Sequence, residues 1–479
     1  MTVAHKLKTL GCFLTYLIKR IVFIKTFNYF VAVLIEFSRR SIPIYTSKSC
    51  SFSLAEYVKN NLGVDTVADK GIAYLKNKLT AKQSRVRLRY GFYDMKNHVD
   101  DIKGVIPDRL KWISASLGWC AKGVDTLANR IVFDGFEHDD FVLGGIFSNN
   151  NPDILCDDAV LSALISSCSF IYIGQDASGY PTMQVIDGGN ATGEIDRVTN
   201  MLTEGYAVLQ RDEHEKPVLE AYFRPYRTDY YVNGRLAPEL AMEHHAPYAL
   251  LVPVIYRPDA KRPFGHSRIS RCCMDIVKAA IRTMRRSEVS SEFYSFPQRY
   301  VLGLEENAAE IEGDNKVKAA MSAFLDFRQD ENGNHPVVGQ FDQQSMAPFT
   351  EQLRTLAAVF AGETDLTLED LGFSTGNPPS YDAIRASHEN LRLTARKAQR
   401  TFGTGFLNAG YLAACVRDKQ TYRRSAFREV KPAWMPIFEP DAATLGVIGD
   451  AILKINQASD GFLGTRNIKS LTGLESDAE

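Results

Sequence analysis

The chain lacks the short motifs that mark most enzymes acting through a nucleotide, a metal or an acyl intermediate. It has no G-x-x-x-x-G-K-[ST] phosphate cradle, no H-E-x-x-H zinc motif and no G-x-S-x-G nucleophile elbow. Gly403, Thr404 and Gly405 fall inside a helical pattern and do not follow a strand, which argues against a dinucleotide site. The sequence therefore predicts no catalytic residues, no metal site and no cofactor.

Two adjacent pairs of side chains were considered as metal ligands. They are His244 with His245, and Asp157 with Asp158. Neighbours in sequence point to different faces of a helix or strand, so they rarely share a ligand. We predict that neither pair binds a metal.

Cysteine is used sparingly and without a pattern. The eight cysteines include no C-x-x-C pair and none has a histidine at metal-ligand spacing. Buried, small, apolar thiols in a reduced compartment fit this usage best. Cys272 and Cys273 are neighbours on a predicted helix, so we predict no disulfide framework.

A basic body, which is typical of proteins that bind nucleic acid tightly, is also missing. The chain carries 56 Lys and Arg against 57 Asp and Glu, a net charge of −1. Residues 1–49 hold eight Lys or Arg and one Glu, which gives +7 and leaves −8 for the rest of the chain. If the protein meets DNA, we expect it to do so without gripping it strongly.

Long uncharged apolar runs are absent as well. The N-terminal region GCFLTYLIKRIVFIKTFNYFVAVLIEF is apolar, but Lys19, Arg20 and Lys25 interrupt it. The uncharged run at residues 26–35 is shorter than the roughly 20 residues that a membrane span needs. Three interpretations stay open for residues 1–49: an upstream extension outside the fold, an interfacial basic helix, or a membrane anchor.

Hydrophobic periodicity predicts the α+β class, with an antiparallel sheet up to about residue 260. Period-2 runs predict a hairpin at 169–187, with its turn at 176–179, and a three-stranded meander at 206–236. Helices are predicted at 53–91, within 110–133, at 153–167, 267–294, 347–361 and 381–417, and weakly near 445–456. The helix at 381–417 has a seam of six apolar residues at helical spacing: Leu391, Ala395, Ala398, Phe402, Phe406 and Ala409.

The helix predicted at 267–294 carries the clearest positive feature. Its apolar stripe consists of Cys273, Ile276, Val277, Ala280, Ile281 and Met284. Basic residues crowd its other faces, and the candidates for contact with DNA are Lys278, Arg282, Arg285 and Arg286. Such a row is either a solvated surface or a face toward a polyanion, since phosphate contacts from Lys and Arg do not depend on base sequence and allow sliding.

A stiff polar loop, STGNPPSYDAIRASHENL, precedes the helix at 381–417. Gly376 permits a turn, while Pro378 and Pro379 stiffen the chain. Ser380 is suited to cap the helix that follows. The loop contains no catalytic set and no phosphate motif, so we expect its shape to be its use.

Three long stretches resemble the portal proteins of long-tailed double-stranded DNA bacteriophages and prophages, above all those of phages infecting actinobacteria. They are RPFGHSRISRCCMDIVKAAIRTMRRSEVSSEFYSFPQRYVLGL, VVGQFDQQSMAPFTEQLRTLAAVFAGETDLTLEDLGF and GNPPSYDAIRASHENLRLTARKAQRTFGTGF. They occur in the family's order and spacing, and the resemblance extends from about residue 75 to residue 477. Residues 1–49 have no counterpart in the family, which supports an extension outside the fold.

The resemblance implies a homo-oligomeric ring, typically of twelve subunits, at one vertex of the phage head. The ring is expected to conduct double-stranded DNA during packaging and ejection. The partners it implies are the terminase large subunit, head completion or adaptor proteins, and the major capsid and scaffolding proteins. It also implies a location in the virion, with assembly in the host cytoplasm, and no enzymatic activity.

Carried onto this chain, the resemblance implies the following parts. They are an extension at 1–49, a wing at 50–262, a stem helix at 263–296, a clip at 297–345, a second stem helix at 346–362, a tunnel loop at 363–380, a long helix with the base of the wing and crown at 381–430, and a short crown or tail at 431–479. The residues implied for the tip of the tunnel loop are Phe373, Ser374, Thr375, Gly376, Asn377, Pro378 and Pro379.

Two alternatives to the portal interpretation remain. A membrane-attached interaction protein built on residues 1–49 predicts membrane association that is lost when that segment is deleted. A packaging nuclease or head protease needs clustered carboxylates or a nucleophile with a base, and the sequence offers such sets only by chance.

Overall fold

The computed structural model describes residues 70–97, 99, 110–294, 299–302, 337–340, 345–373, 381–438, 440, 442–459, 461–472 and 474. The predictions for residues 1–69, for a short helix after residue 315 and for the cap at Ser380 lie outside these residues.

The described chain is mixed α and β in its first part and mainly helical afterwards, which confirms the α+β class. The helices are α1 (Gly71–Tyr93), α2 (Trp119–Ala128), α3 (Leu143–Ser148), α4 (Pro152–Ser166), α5 (Arg271–Tyr294), α6 (Ala347–Thr364), α7 (Tyr381–Ser387), α8 (Glu389–Arg417), α9 (Ala442–Ala458) and α10 (Thr465–Thr472). The strands are β1 (Phe133–Glu137), β2 (Cys168–Gln175), β3 (Pro181–Ile186), β4 (Ala191–Ile195), β5 (Leu202–Arg211), β6 (Pro217–Arg224), β7 (Arg227–Val232), β8 (Arg235–Glu243), β9 (Leu251–Ile255), β10 (Arg299–Leu302), β11 (Val337–Gln340) and β12 (Lys431–Trp434).

Two antiparallel sheets form the centre of the first part. One has the strand order β3-β2-β9 and the other the order β4-β5-β6-β7-β8. They face each other through Tyr172, whose hydroxyl lies 2.6 Å from the hydroxyl of Tyr230 and whose ring packs against Phe223. Gly205 provides room for Leu251 at the same interface.

The hairpin prediction is confirmed and the meander prediction is wrong in one respect. The carboxylate of Asp176 accepts hydrogen bonds from the backbone N–H groups of Ser178 and Tyr180, which closes the β2–β3 turn where it was expected. The meander has four strands, β5 to β8, because the chain reverses between β6 and β7. Tyr226 sits there in the left-handed region, at φ 66°, without a glycine to signal the turn.

Helix α1 is held on the five-stranded sheet by its lysines. Lys76 Nζ lies 2.8 Å from the carboxylate of Glu220, and Lys78 Nζ lies 2.5 Å from that of Glu194. Lys82 Nζ donates to the carbonyl of Ala191 at 2.6 Å, and burial lowers the pKa of its ammonium. The positive charge of α1 is therefore spent within the subunit.

Helix α8 runs through the main core. All six residues of its predicted seam are buried. A Cβ at Gly403 would lie 2.9 Å from Pro432 Cγ, and one at Gly410 would lie 2.9 Å from Leu143 Cδ1. These glycines let β12 and α3 approach the helix axis closely, which gives the G-T-G segment a packing role.

The single helix predicted at 381–417 is two helices in the structure. His388 separates α7 from α8, and its side chain is buried. Its imidazole Nδ1 lies 3.8 Å from the carboxylate of Asp370. This contact explains the interruption, since it draws the backbone of His388 toward the segment that follows α6.

Helices α5 and α6 pack side by side, and α5 leads into β10 while α6 follows β11. Helix α5 begins at Arg271 because the hydroxyl of Ser270 accepts the N–H of Cys273 at 3.1 Å and caps the helix. Its predicted stripe is buried, except that Met284 is half-buried. Strands β10 and β11 pair antiparallel, so an antiparallel ribbon joins the two helices at one end.

The C-terminal region adds strand β12, which pairs with β1, and the two helices α9 and α10. Helix α9 covers the predicted weak helix and extends beyond it at both ends. Helix α10 was not predicted, because its eight residues are mostly polar. A salt bridge of 3.1 Å between Lys469 and Asp134 ties α10 to β1.

Candidate functional site

The candidate site is the segment that links α6 to α7, together with the basic residues on the helices around it. Phe373 is half-buried against the main core, and its N–H donates to the carbonyl of Leu368 at 3.0 Å. Ser374, Thr375, Gly376, Asn377, Pro378 and Pro379 lie outside the described residues. The structure therefore shows the two roots of the loop, and the role of its tip stays a prediction.

The first root of the loop is fixed by Arg268, a buried residue that lies just before α5 and is only 6% exposed. Its guanidinium donates to the carbonyl of Thr364, to the carboxylate of Asp365 at 3.4 Å and to the carbonyl of Gly123 at 3.3 Å. Thr394 on α8 donates to the same carboxylate at 3.0 Å. One cation thus ties α2, α6 and α8 together where the loop begins.

A compact turn follows this anchor. The carboxylate of Asp370 accepts hydrogen bonds from the N–H of Thr367 at 2.8 Å and from its hydroxyl at 2.9 Å. Leu366 and Leu371 are buried beside the turn. Because every polar group named here has a partner, the loop leaves the core from a rigid base.

The second root is α7 with the start of α8. Arg392 donates twice to the carboxylate of Glu389, at 2.6 and 2.8 Å, as an exposed pair one turn apart. This pair raises the pKa of Arg392 and lowers that of Glu389. The loop is therefore held between a buried anchor on one side and a charged, solvated helix on the other.

The four basic candidates on α5 are all partly buried. Lys278 Nζ lies 3.5 Å from the carboxylate of Asp275 and 5.7 Å from the centre of the Phe92 ring. Arg285 donates to the backbone carbonyl of Lys111 at 3.1 Å. Arg282 and Arg286 are half-buried as well. The structure places the four on one helix without forming an open row, so contact with DNA remains a prediction for them.

A more exposed basic set lies on α8, and sequence reasoning missed it. Arg396, Lys397 and Arg400 are exposed, and none of them forms an ion pair within the part of the chain that the structure describes. The signal was present in the sequence, since arginine recurs every fourth residue at 392, 396 and 400. Such spacing places cations on one side of a helix.

Two clefts flank this basic set. One of about 620 Å³ lies between α8, β12 and α10. The other, of about 850 Å³, is the α8 groove; its lining includes Arg396, Lys397, Arg400, Leu407, Arg424 and Trp434. Gln399 and Pro432 lie between the two clefts and contribute to both.

Reactive chemistry is scarce in the described part. No group of His, Cys, Asp and Glu there is arranged to hold a metal ion, which agrees with the prediction for the two adjacent pairs. Burial raises the pKa of the Cys120 and Cys156 thiols to about 12, so they are poor nucleophiles. Burial lowers the pKa of His244 to about 4 and leaves it neutral near pH 7.

Among the described helices, none is both long enough and apolar enough to cross a membrane. Residues 1–49, on which the membrane alternative depends, are not among them.

No protein-family model matches the sequence. The chain is 25% identical over 392 residues to the portal protein of Mycobacterium phage L5, which covers 78% of this chain and 79% of that protein. It is 23% identical over 425 residues to the portal protein of Mycobacterium phage D29, which covers 84% and 85% of the two chains. This chain is a homologue of mycobacteriophage portal proteins. The resemblance found in the sequence is thereby confirmed.

Solved structures of gene transfer agent particles are also similar to this portal homologue. A chain of the native virion is 13% identical, with a TM-score of 0.44 over 81% of this chain and 99% of that one. A chain from the neck of the native particle, computed with C12 symmetry, is 14% identical, with a TM-score of 0.43 over 74% and 90%. Such similarity is too low to define the fold, which rests on the elements described above.

Proposed function

We propose that this chain is a portal subunit that assembles with copies of itself into a ring at one vertex of a phage head. The ring forms the channel through which double-stranded DNA is packaged and ejected, and the protein is a component of the virion. The observation that carries this proposal is the similarity to two portal proteins over most of their lengths. Twelve is the subunit number that we expect.

The arrangement of α5, α6 and their ribbon supports the division into parts. The two helices lie together as a stem, and β10 and β11 extend from them where a clip is expected. The α+β region before α5 corresponds to the wing, and the short region after β12 to the crown. We propose that the clip contacts the terminase large subunit during packaging and the head completion proteins later, while capsid and scaffolding proteins surround the wing.

The loop after Phe373 is proposed to project into the channel as the tunnel loop. The rigid base built by Arg268 and Asp370 supports this role, because a loop that meets moving DNA needs a fixed root. Around a ring, copies of the loop form a collar. On a single subunit the same loop has no evident use.

A mass measurement combined with electron microscopy of the purified full-length chain tests the proposal. We expect closed rings with a central hole. A chain that stays monomeric at every concentration under assembly conditions would contradict it.

Deletion of residues 374–378 tests the loop itself. We expect rings to form as in the wild type, because the deletion leaves both roots intact, while DNA packaging in an infected cell falls strongly. A matched deletion in the exposed turn at residues 213–215 should change neither. Normal packaging by the loop-deleted ring would remove the tunnel-loop assignment.

The described residues add no support to the membrane-attached alternative or to the nuclease and protease alternative. Incubation of the full-length chain with DNA and Mg²⁺ checks the nuclease version directly.

A further inference from the structure

Helix α9 is uncovered in the subunit. From residue 444 to residue 459 no side chain is buried, and Val447 and Leu453 are 70% and 59% exposed. Its sequence, AATLGVIGDAILKINQA, is largely apolar. A helix of this length is marginal in water when it buries nothing, and exposed apolar surface of this kind marks an interaction site. Helix α9 therefore needs a partner that the single subunit does not supply.

The α8 groove has the complementary character. Four cations line it, Arg396, Lys397, Arg400 and Arg424, and no Asp or Glu occurs among the described residues of its lining. Leu407 and Trp434 are among the apolar residues of its wall. No residue of α9 from the same subunit contributes to the lining.

Two polar groups in the groove are set up for an occupant. Gln399 is only 8% exposed, and its side-chain Nε2 has no hydrogen-bond partner. Arg424 donates to Asn408 Oδ1 at 3.0 Å, and burial lowers the pKa of its guanidinium. A buried donor without an acceptor is unfavourable, so an occupant that brings carbonyl or carboxylate oxygens is favoured.

The charge of the α9 region fits this groove. Residues 439–460 contain four acidic residues and one lysine: Glu439, Asp441, Asp450, Asp460 and Lys454. The groove walls favour a protein segment over DNA, because a phosphate backbone makes little use of apolar walls whereas an apolar helix does.

A closed ring requires that each subunit present two different faces, one that meets the subunit before it and one that meets the subunit after it. We propose that α9 of one subunit packs into the α8 groove of the neighbouring subunit, with its acidic flanks against the four cations. This interface rests on the proposed ring, and it assigns the C-terminal helices an assembly role within it.

Site-directed cross-linking of the full-length chain tests the interface. The background is Cys12→Ser, Cys50→Ser and Cys272→Ser, because the cysteines that then remain are buried in the structure. Val447→Cys and Thr404→Cys are made in separate chains, both at exposed positions, and the two chains are mixed before assembly. A short bis-maleimide should then join one chain of each kind.

The control pairs Thr404→Cys with Trp112→Cys, a residue 75% exposed outside both elements. We expect many-fold more cross-linked dimer from the Val447 pair than from the control pair. Rings that form with no excess over the control would overturn the interface while leaving the portal function standing. A background chain that forms no rings would remove the portal function, and the interface with it.

Charge reversal gives a second, independent reading. Arg396→Glu with Arg400→Glu changes exposed side chains, so the subunit should fold normally while the assembled fraction falls several-fold. Unchanged assembly combined with weaker DNA retention would show that the groove faces DNA, and would overturn the proposal.

Discussion

Helices α8 and α9 are both rich in apolar residues, yet the chain treats them in opposite ways. Along α8, Leu391, Phe402 and Phe406 are fully enclosed by strands and helices of the same subunit. Along α9, Val447, Leu453 and Ile455 are exposed. The difference separates two kinds of stability, one that a single subunit provides for itself and one that it obtains only from another copy.

Their glycines repeat this contrast. At Gly403 an added Cβ would meet Pro432, whereas at Gly446 it would meet nothing within 4 Å. In α8, glycine is a requirement of close packing. In α9, glycine costs helix stability without a visible return inside the subunit.

The largest effect should come from truncating the self-covered helix. Phe402→Ala leaves a cavity in the core, and we expect a loss of about 3–5 kcal/mol in the free energy of unfolding of the unassembled subunit. Val447→Ala, the matched change on α9, should alter that quantity by less than about 0.5 kcal/mol. Denaturant titration of both variants measures the difference, and equal losses would abolish the distinction.

The glycine pair gives a smaller effect that differs in sign. Gly403→Ala forces β12 away from α8 and should destabilise the subunit by about 1–3 kcal/mol. Gly446→Ala should stabilise α9 by roughly 0.5–1 kcal/mol, because alanine favours a helix and nothing obstructs its methyl group. Denaturant unfolding measures the first, and amide exchange within α9 measures the second. Destabilisation by both changes would mean that α9 is already packed.

A pH-dependent contribution should come from His244 in the self-covered part. Burial lowers its pKa from 6.5 to about 4, so between these values the unfolded chain binds a proton that the folded chain does not. The contribution of neutral His244 is full above pH 6.5 and is lost as the pH falls toward 4. His244→Asn removes it, so wild type and variant should diverge in unfolding free energy across that window. Parallel curves would contradict the assignment.

The smallest effect on the fold should come from the basic candidates of α5. Lys278→Ala with Arg282→Ala removes two half-buried cations, and ring assembly should be unchanged. If both face DNA in the channel, DNA retention should weaken and lose about one unit of salt dependence for each phosphate contact. Arg271→Ala, an exposed cation at the start of the same helix, is the matched control. Unchanged retention would assign the pair to a solvated surface.

Most of the fold could be predicted from period alone. The seam of α8 and the stripe of α5 follow helical spacing, and the β2–β3 turn has a recognisable Asp and Gly. The β6–β7 turn was missed because a tyrosine, which disfavours positive φ, occupies it. The break at His388 was missed because its cause is a contact with Asp370, a residue on another segment.

The candidate site was less accessible from the sequence. The loop was found by resemblance to a family, and no local pattern reveals its anchor. Arg268 binds groups that are 97 and 145 residues away along the chain, a relation that only the folded structure shows. The cations of α8 did have a visible spacing, but their groove depends on β12 and on the orphaned amide of Gln399.

Hydrogen–deuterium exchange of the full-length chain, before and after assembly, tests the central comparison most directly. We predict that α8 is protected in both forms, and that α9 exchanges rapidly in the free subunit and becomes protected in the ring. An α9 that is protected in the free subunit, or that still exchanges rapidly in the ring, would contradict the account.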